Sequence, residues 1–118
     1  MNSYNEIFRP WGSFRSLLLA DNHQIKEIFV GPGQRLSLQS HQQRSEHWIV
    51  TNGPALVTID DQELMLETGA HIFIPQGAKH RLANPGTKKI KIVEIQIGSY
   101  LGEDDITRYE DDYQRNTD

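Results

Sequence analysis

Residues 33–53 read GQRLSLQSHQQRSEHWIVTNG, and they carry side chains suited to holding a metal ion: the amide of Gln39, the imidazole of His41 and the carboxylate of Glu46. In an extended strand alternate residues share a face, so Gln39 and His41 point one way and Ser40 the other. Gln42, Gln43, Arg44 and Ser45 have turn character and let the chain return. Glu46, Trp48 and Val50 then share one face of the next apolar run. A hairpin of this kind brings an amide oxygen, an imidazole nitrogen and a carboxylate to one point, and a fourth ligand has to come from later in the chain.

Composition limits what such a site can be. The 118 residues make one domain, with a core over about residues 9–100 and a C-terminal segment over 101–118. With 36% hydrophobic and 24% charged residues, the chain reads as an ordinary soluble globular domain. A net charge of −4 argues against a nucleic-acid or anionic-membrane partner, although local basic residues can still hold a small anion. The absence of cysteine excludes disulfides and thiolate ligands, so any metal must be held by nitrogen and oxygen. The first residues, MNSYNEIFRPWG, lack a basic region followed by an apolar stretch, and no run approaches a membrane span; a cytoplasmic location is expected.

The elements that must position the site are mostly strands. Residues 1–8 are polar until Ile7 and Phe8, and Arg9-Pro10-Trp11-Gly12 reads as an arm pinned by a buried tryptophan. Residues 14–19 and 24–30 form two strands around a turn at 20–23, which places His23 at the surface. Lys26 shares a face with Ile28 and Val30, so it either snorkels out at the strand end or reaches into a cavity. Further strands are expected at 55–59, 62–67, 70–74 and 90–97, with Asp60-Asp61 as a two-residue hairpin turn. His71 lies among strand residues that need not face His41 and is read as structural or exposed. On the last strand Val93, Ile95 and Ile97 share one face, and Ile92, Glu94 and Gln96 the other. Many short strands with regular turn signals imply an all-β antiparallel sandwich or barrel. Residues 102–115, with acidic residues first and Tyr109 and Tyr113 four apart, predict a short C-terminal helix or an ordered loop closing one end.

Two spacings in this pattern resemble the cupin family, whose motifs are G-x5-H-x-H-x4-E-x6-G and G-x5-P-x-G-x2-H-x3-N. The first falls on Gly33, Gln39, His41, Glu46 and Gly53, with Gln39 in place of the first histidine; the second falls on Gly69, Pro75, Gly77, His80 and Asn84. The resemblance implies a small double-stranded β-helix, the cupin jelly-roll barrel, and makes His80 the fourth ligand. The strings RPWGSF, SLQSHQQRSEHW, HRLANPG and GSYLGEDDITRYED look more narrowly like the C-terminal isomerase half of type II mannose-6-phosphate isomerase/mannose-1-phosphate guanylyltransferases, where glutamine at the Gln39 position is usual. The chain shows no glycine-rich nucleotide-binding motif and no room for the transferase half, so GDP-mannose synthesis is not expected of it alone.

That resemblance implies interconversion of mannose 6-phosphate and fructose 6-phosphate, which moves a proton between adjacent carbons. The chemistry needs a cation to polarise oxygens, a base, and positive groups to hold a phosphate. Gln39, His41, Glu46 and His80 supply the site for a divalent ion, zinc first, with manganese, cobalt, nickel or iron able to use the same donors. Arg9, Arg44 and Arg108 fall inside the family-like strings and are the expected phosphate holders, with Lys26 and Arg81 in reserve. Arg44, Glu94 and Lys26 are the expected catalytic residues. Glu94 and Lys26 are candidate bases if they face the cavity, and Glu103 or Asp104 if the C-terminal segment folds over its mouth. Two other readings compete: a non-catalytic sugar-phosphate or sugar-nucleotide binding module beside a separate guanylyltransferase, and a cupin oxygenase holding iron. Exposed sheet edges point to a homodimer.

Overall fold

The computed structural model describes residues 5–113. Among them are eleven strands and no helix: β1 (Ile7–Arg9), β2 (Gly12–Leu19), β3 (His23–Val30), β4 (Leu38–Ser40), β5 (Arg44–Asn52), β6 (Ala55–Ile59), β7 (Gln62–Leu66), β8 (His71–Ile74), β9 (His80–Ala83), β10 (Ile90–Gly98) and β11 (Thr107–Glu110). One antiparallel sheet has the order β1-β2-β3-β10-β5-β8 and the other β11-β4-β9-β6-β7. From β3 onward nearly every connection crosses from one sheet to the other, which winds the chain into the double-stranded β-helix that the two motifs imply. No helix among the described residues is long and apolar enough to cross a membrane.

Alternation fixes which side chains enter the barrel. On β3 the inward residues are Gln24, Lys26, Ile28 and Val30; on β5 they are Arg44, Glu46, Trp48 and Val50; on β10 they are Ile90, Ile92, Glu94 and Gln96. Val30, Val50, Ile90 and Ile92 close one end together with Ala55, Val57, Ile74 and Leu82. Register then stacks the polar residues at the other end: Glu94 pairs with Lys26 and Trp48, and Gln96 with Gln24 and Glu46. Val93, Ile95 and Ile97 therefore lie on the outer surface of the sheet, and the more polar side of β10 is the inner one.

Glycine makes two close approaches possible. A Cβ at Gly12 would run into the Phe29 carbonyl oxygen where β2 meets β3, and a Cβ at Gly98 into the Gln43 carbonyl oxygen where β10 meets the start of β5. The second matters to the site, because Gly98 is the register partner of Arg44. At Asp60-Asp61 the two-residue turn forms as expected, with Asp60 at a φ of 49°, a conformation aspartate tolerates.

Two sequence expectations need correction. Arg44 and Ser45 are not turn residues; β5 already begins at Arg44, so Arg44 is in phase with Glu46 and points inward. Residues 107–110 are not helical either. They pair with β4 through Thr107↔Ser40 and Arg108↔Gln39, because β4 offers an edge whose backbone groups need partners. The segment is fastened from outside by the Tyr109–Ser40 hydroxyl contact of 2.9 Å and by Arg35, which makes two bonds to Asp112 at 2.7 and 2.9 Å. Residues 1–4 and the end of the expected C-terminal segment, 114–118, lie outside the described residues.

Candidate metal centre

His41, Glu46 and His80 meet in the barrel, with one ligand atom from each lying within 4.8 Å of the others, and all three side chains buried. Glu46 comes from β5, His80 from the start of β9, and His41 from the connection just after β4. Each imidazole is oriented through Nδ1. His41 Nδ1 bonds the Asp105 carbonyl oxygen at 2.7 Å and His80 Nδ1 bonds the Ala78 carbonyl oxygen at 3.0 Å. A carbonyl only accepts, so the ring proton sits on Nδ1 and the Nε2 lone pair faces Glu46 in both rings. Nε2 of His41 is 3.3 Å and Nε2 of His80 3.8 Å from the Glu46 carboxylate.

His80 Nε2 is buried and has no hydrogen-bond partner. A buried acceptor without a donor is costly, and a metal ion satisfies it. Two imidazole nitrogens and one carboxylate also match the nitrogen-and-oxygen donor set of a divalent ion, so the residues present fit such a group. Gln39 is the register partner of His80 on one side and of Arg108 on the other, and it lines a cavity together with His41; its Oε1 accepts a 3.3 Å bond from Ser37.

Arg44 lies against the donors. Its Nε donates to Glu46 at 2.9 Å, its Nη2 is 3.2 Å from His41 Nε2, and its Nη1 is buried without an acceptor. Burial works against the guanidinium charge, but Glu46 and Glu94 outweigh it and raise the Arg44 pKa. Burial, then the charge of Arg44, lower His41 to about 4, leaving it a neutral ring at pH 7. Burial alone would raise Glu46; His80 and Arg44, with the indole N–H of Trp48, hold it below the usual carboxylate range. The site keeps its carboxylate ionised and its histidine neutral, as ligation requires.

A second carboxylate stands behind the first. Trp48 Nε1 donates to Glu46 at 2.8 Å and to Glu94 at 3.2 Å, while Gln96 Nε2 donates to the other oxygen of Glu94 at 2.7 Å. Gln96 is held in turn by Gln24 at 2.9 Å, and Gln24 by Ser16 at 2.7 Å, so the amides cannot flip without losing bonds. Burial first, and the charge of Glu46 second, push Glu94 up to about 7. A carboxyl near neutrality can both take and return a proton at pH 7.

The cavity in front of these groups is lined by Arg9, Lys26, Arg44 and Arg108 as well as by Gln39, His41, Glu94 and Glu103. Lys26 therefore reaches in rather than snorkelling out, as does Trp11, whose ring is buried and also faces the cavity. Two expected site residues lie elsewhere. Arg81 follows His80 and so points to the other face of β9, where it bonds the Leu36 carbonyl and Glu110; it clamps β11 to the barrel. Asp104 is exposed and accepts a bond from the Tyr100 hydroxyl, away from the cavity. His71 is exposed on the outer sheet.

Sequence reasoning missed Asp105. Its carboxylate accepts the backbone N–H groups of Gln42 and Gln43 at 3.0 and 2.9 Å, and its carbonyl fixes His41, so one residue of the closing segment sets the loop between His41 and Arg44. Its position between Glu103 and Asp104 and the strand β11 offered no periodic signal. The Gln24–Gln96 pair was equally silent, since each reads as a surface amide until the register places them opposite one another.

Comparison with known proteins locates the chain. Residues 1–111 match the family model described as mannose-6-phosphate isomerase C-terminal. The chain is 53% identical over 110 residues to the alginate biosynthesis protein AlgA of Pseudomonas aeruginosa, covering 93% of this chain and 23% of that protein. It is 50% identical over 106 residues to a mannose-1-phosphate guanylyltransferase of Sinorhizobium fredii, covering 90% of this chain and 21% of that protein. The chain thus spans about a quarter of the length of the curated relatives it matches. Among solved structures, the capsular polysaccharide assembling protein CapF of Staphylococcus aureus superposes with a TM-score of 0.81 at 17% identity, over 93% of this chain and 33% of that one, a likeness of fold.

Proposed function

The chain belongs to the mannose-6-phosphate isomerase C-terminal family, and from that premise we propose that it interconverts mannose 6-phosphate and fructose 6-phosphate with a bound divalent metal ion. The observation that supports this reading is an oriented His-Glu-His donor group that meets, through His41, a cavity lined by a carboxyl near neutrality and four positive side chains.

His41, Glu46 and His80, with Gln39 beside them, would hold the ion, zinc first and manganese, cobalt, nickel or iron as alternatives. When bound, it polarises the substrate oxygens next to the carbon that gives up its proton. Glu94 takes the proton from one carbon and returns it to the next, because its carboxyl lies near neutrality and Trp48 and Gln96 fix both its oxygens. Arg44 keeps Glu46 ionised and presents Nη1, a buried donor without an acceptor, to a substrate oxygen. Arg9, Lys26 and Arg108 give the cavity the positive charge that a phosphate requires.

The test is conversion of mannose 6-phosphate by the purified chain. Formation of fructose 6-phosphate that stops on chelation and returns with added divalent ion is the expected result. Folded, metal-loaded protein without turnover overturns the reading and favours a binding module working beside a guanylyltransferase, the activity named for one relative.

A further inference from the structure

Lys26 is a buried cation whose partner comes from outside the barrel. Its side chain is 7% exposed, yet Nζ bonds Glu103 at 2.6 Å, and the Glu103 side chain is 59% exposed. On the barrel wall the register partner of Lys26 is a carboxylate, Glu94, but both its oxygens are engaged by Trp48 and Gln96. A buried ammonium needs an anion, and here the anion is supplied by a loop at the cavity mouth.

Beside Lys26 lies a second cation on the same aromatic ring. Lys26 Nζ is 4.5 Å and Arg9 Cζ 5.3 Å from the centroid of Phe14, and all three residues line the cavity. Among the described residues no carboxylate pairs with Arg9; its guanidinium bonds only the neighbouring Phe8 carbonyl, at 3.1 Å. Two cations thus share one ring, and the one carboxylate there pairs with Lys26.

Glu103 is also built to move. The backbone turns back on itself through the bond from Asp105 N–H to the Gly102 carbonyl at 3.1 Å, which leaves Glu103 and Asp104 at the tip. Asp105 is anchored by His41, Gln42 and Gln43, so the turn stays in place while the Glu103 side chain can swing out by rotamer change.

We propose that Lys26 and Arg9, set against Phe14, form an oxyanion subsite for a phosphate monoester, and that the Glu103 carboxylate occupies this subsite as an internal competitor which the ligand displaces. The subsite is separate from the His41–Glu46–His80 group, so it fixes the charged end of a ligand whose other end reaches the donors. The inference rests on the reading of this cavity as the ligand site, but not on turnover. Its consequence is a conformational tax: affinity for phosphate is reduced by the fraction of time that Glu103 holds Lys26.

Isothermal titration of the full chain with inorganic phosphate, at constant ionic strength, tests this without any isomerase assay. Glu103→Gln keeps the exposed side chain's shape and removes its charge; phosphate should bind about fivefold more tightly, in line with the modest strength of a half-exposed ion pair. Lys26→Met and Arg9→Met should each lose most of the binding. Circular dichroism and the unfolding midpoint show whether each variant is folded, and Asp104→Asn, a neighbour outside the cavity, should bind phosphate as the parent does. Unchanged or weaker binding by Glu103→Gln overturns the competitor, and parental binding by folded Lys26→Met overturns the subsite. A chain that binds phosphate in this pattern yet converts no sugar would refute the proposed isomerase activity and leave the subsite standing.

Discussion

The two ends of the barrel interior are made by the same three strands. β3, β5 and β10 each run from aliphatic residues into polar ones along a single inward face: Val30 and Ile28 into Lys26 and Gln24, Val50 and Trp48 into Glu46 and Arg44, Ile90 and Ile92 into Glu94 and Gln96. The register aligns the change, so one end is an apolar core and the other a buried polar network. The aliphatic end contributes stability by removing surface from water. At the polar end, burial of charges is offset by partners rather than rewarded, and what it yields is shifted proton affinity and oriented donors. Trp48 sits at the join, with its ring in the core and its N–H bridging Glu46 and Glu94.

If the two ends divide labour in this way, substitutions should separate cleanly. The largest effect is expected for Glu94→Gln, which keeps the size of the side chain and one of the two bonds donated by Trp48 and Gln96, but removes the proton acceptor. Turnover of mannose 6-phosphate should fall by roughly 10²–10⁴-fold with metal content retained. Parental rates in that variant would remove Glu94 from the chemistry. At the other end, Ile92→Ala leaves a cavity in a fully buried position and should cost about 2–5 kcal/mol in urea unfolding, with the metal affinity of the folded protein unchanged. A comparable loss of metal affinity would show that the ends are not independent.

A smaller effect is expected at Asp105, which touches the donors only through His41 and the loop beside it. Asp105→Ala keeps the carbonyl that orients His41 but frees the Gln42 and Gln43 N–H groups, and should weaken metal binding by up to about 10-fold, the low end for outer supports of a ligand. Competition with a chromophoric chelator reads it directly, and unaltered affinity would mean that the His41 loop holds its shape without the carboxylate.

The smallest effect is a pH dependence of stability in the chelator-treated protein. Glu94, held at about 7 against an ordinary 4.5, binds its proton more tightly when folded; its contribution is complete below 4.5 and is lost as pH rises through 7. His41, held at about 4 against 6.5, contributes fully above 6.5 and loses that contribution as pH falls through 4. Between pH 4.5 and 6.5 the two slopes oppose one another, so the parent's unfolding midpoint should vary little there. Glu94→Gln leaves the His41 slope alone, and its midpoint should climb with pH across the window. A flat profile in the variant would contradict the burial of His41 as the cause.

Much of this site could be read from residue order because its ligands follow strand alternation and motif spacing. Gln39 and His41, then Glu46 with Trp48, are related by steps of two, and that period needs no tertiary information. Arg44 was harder to place. Its neighbours Gln42, Gln43 and Ser45 look like turn formers, and only the pairing with Gly98 shows that the strand begins there. Arg81 was misplaced for the converse reason. It lies within a motif string, but alternation after His80 turns it outward, and Glu110 waits there. The C-terminal segment has acidic residues suited to a helix start, and the unpaired edge of β4 overrode that local preference.

The sequence by itself determined most of the strands, the absence of thiol chemistry and, through motif spacing, the His41, Glu46 and His80 set that could hold a metal ion, since each depends on residue type and on distances along the chain. Tertiary structure decided the rest. That Glu94 faces inward, that Gln24 and Gln96 lock it, that Asp105 sets the His41 ring and that Glu103 reaches Lys26 all depend on which strands become neighbours and in what register. These contacts join residues far apart in the chain, and the shifts in proton affinity arise from burial and from charges brought together across the barrel.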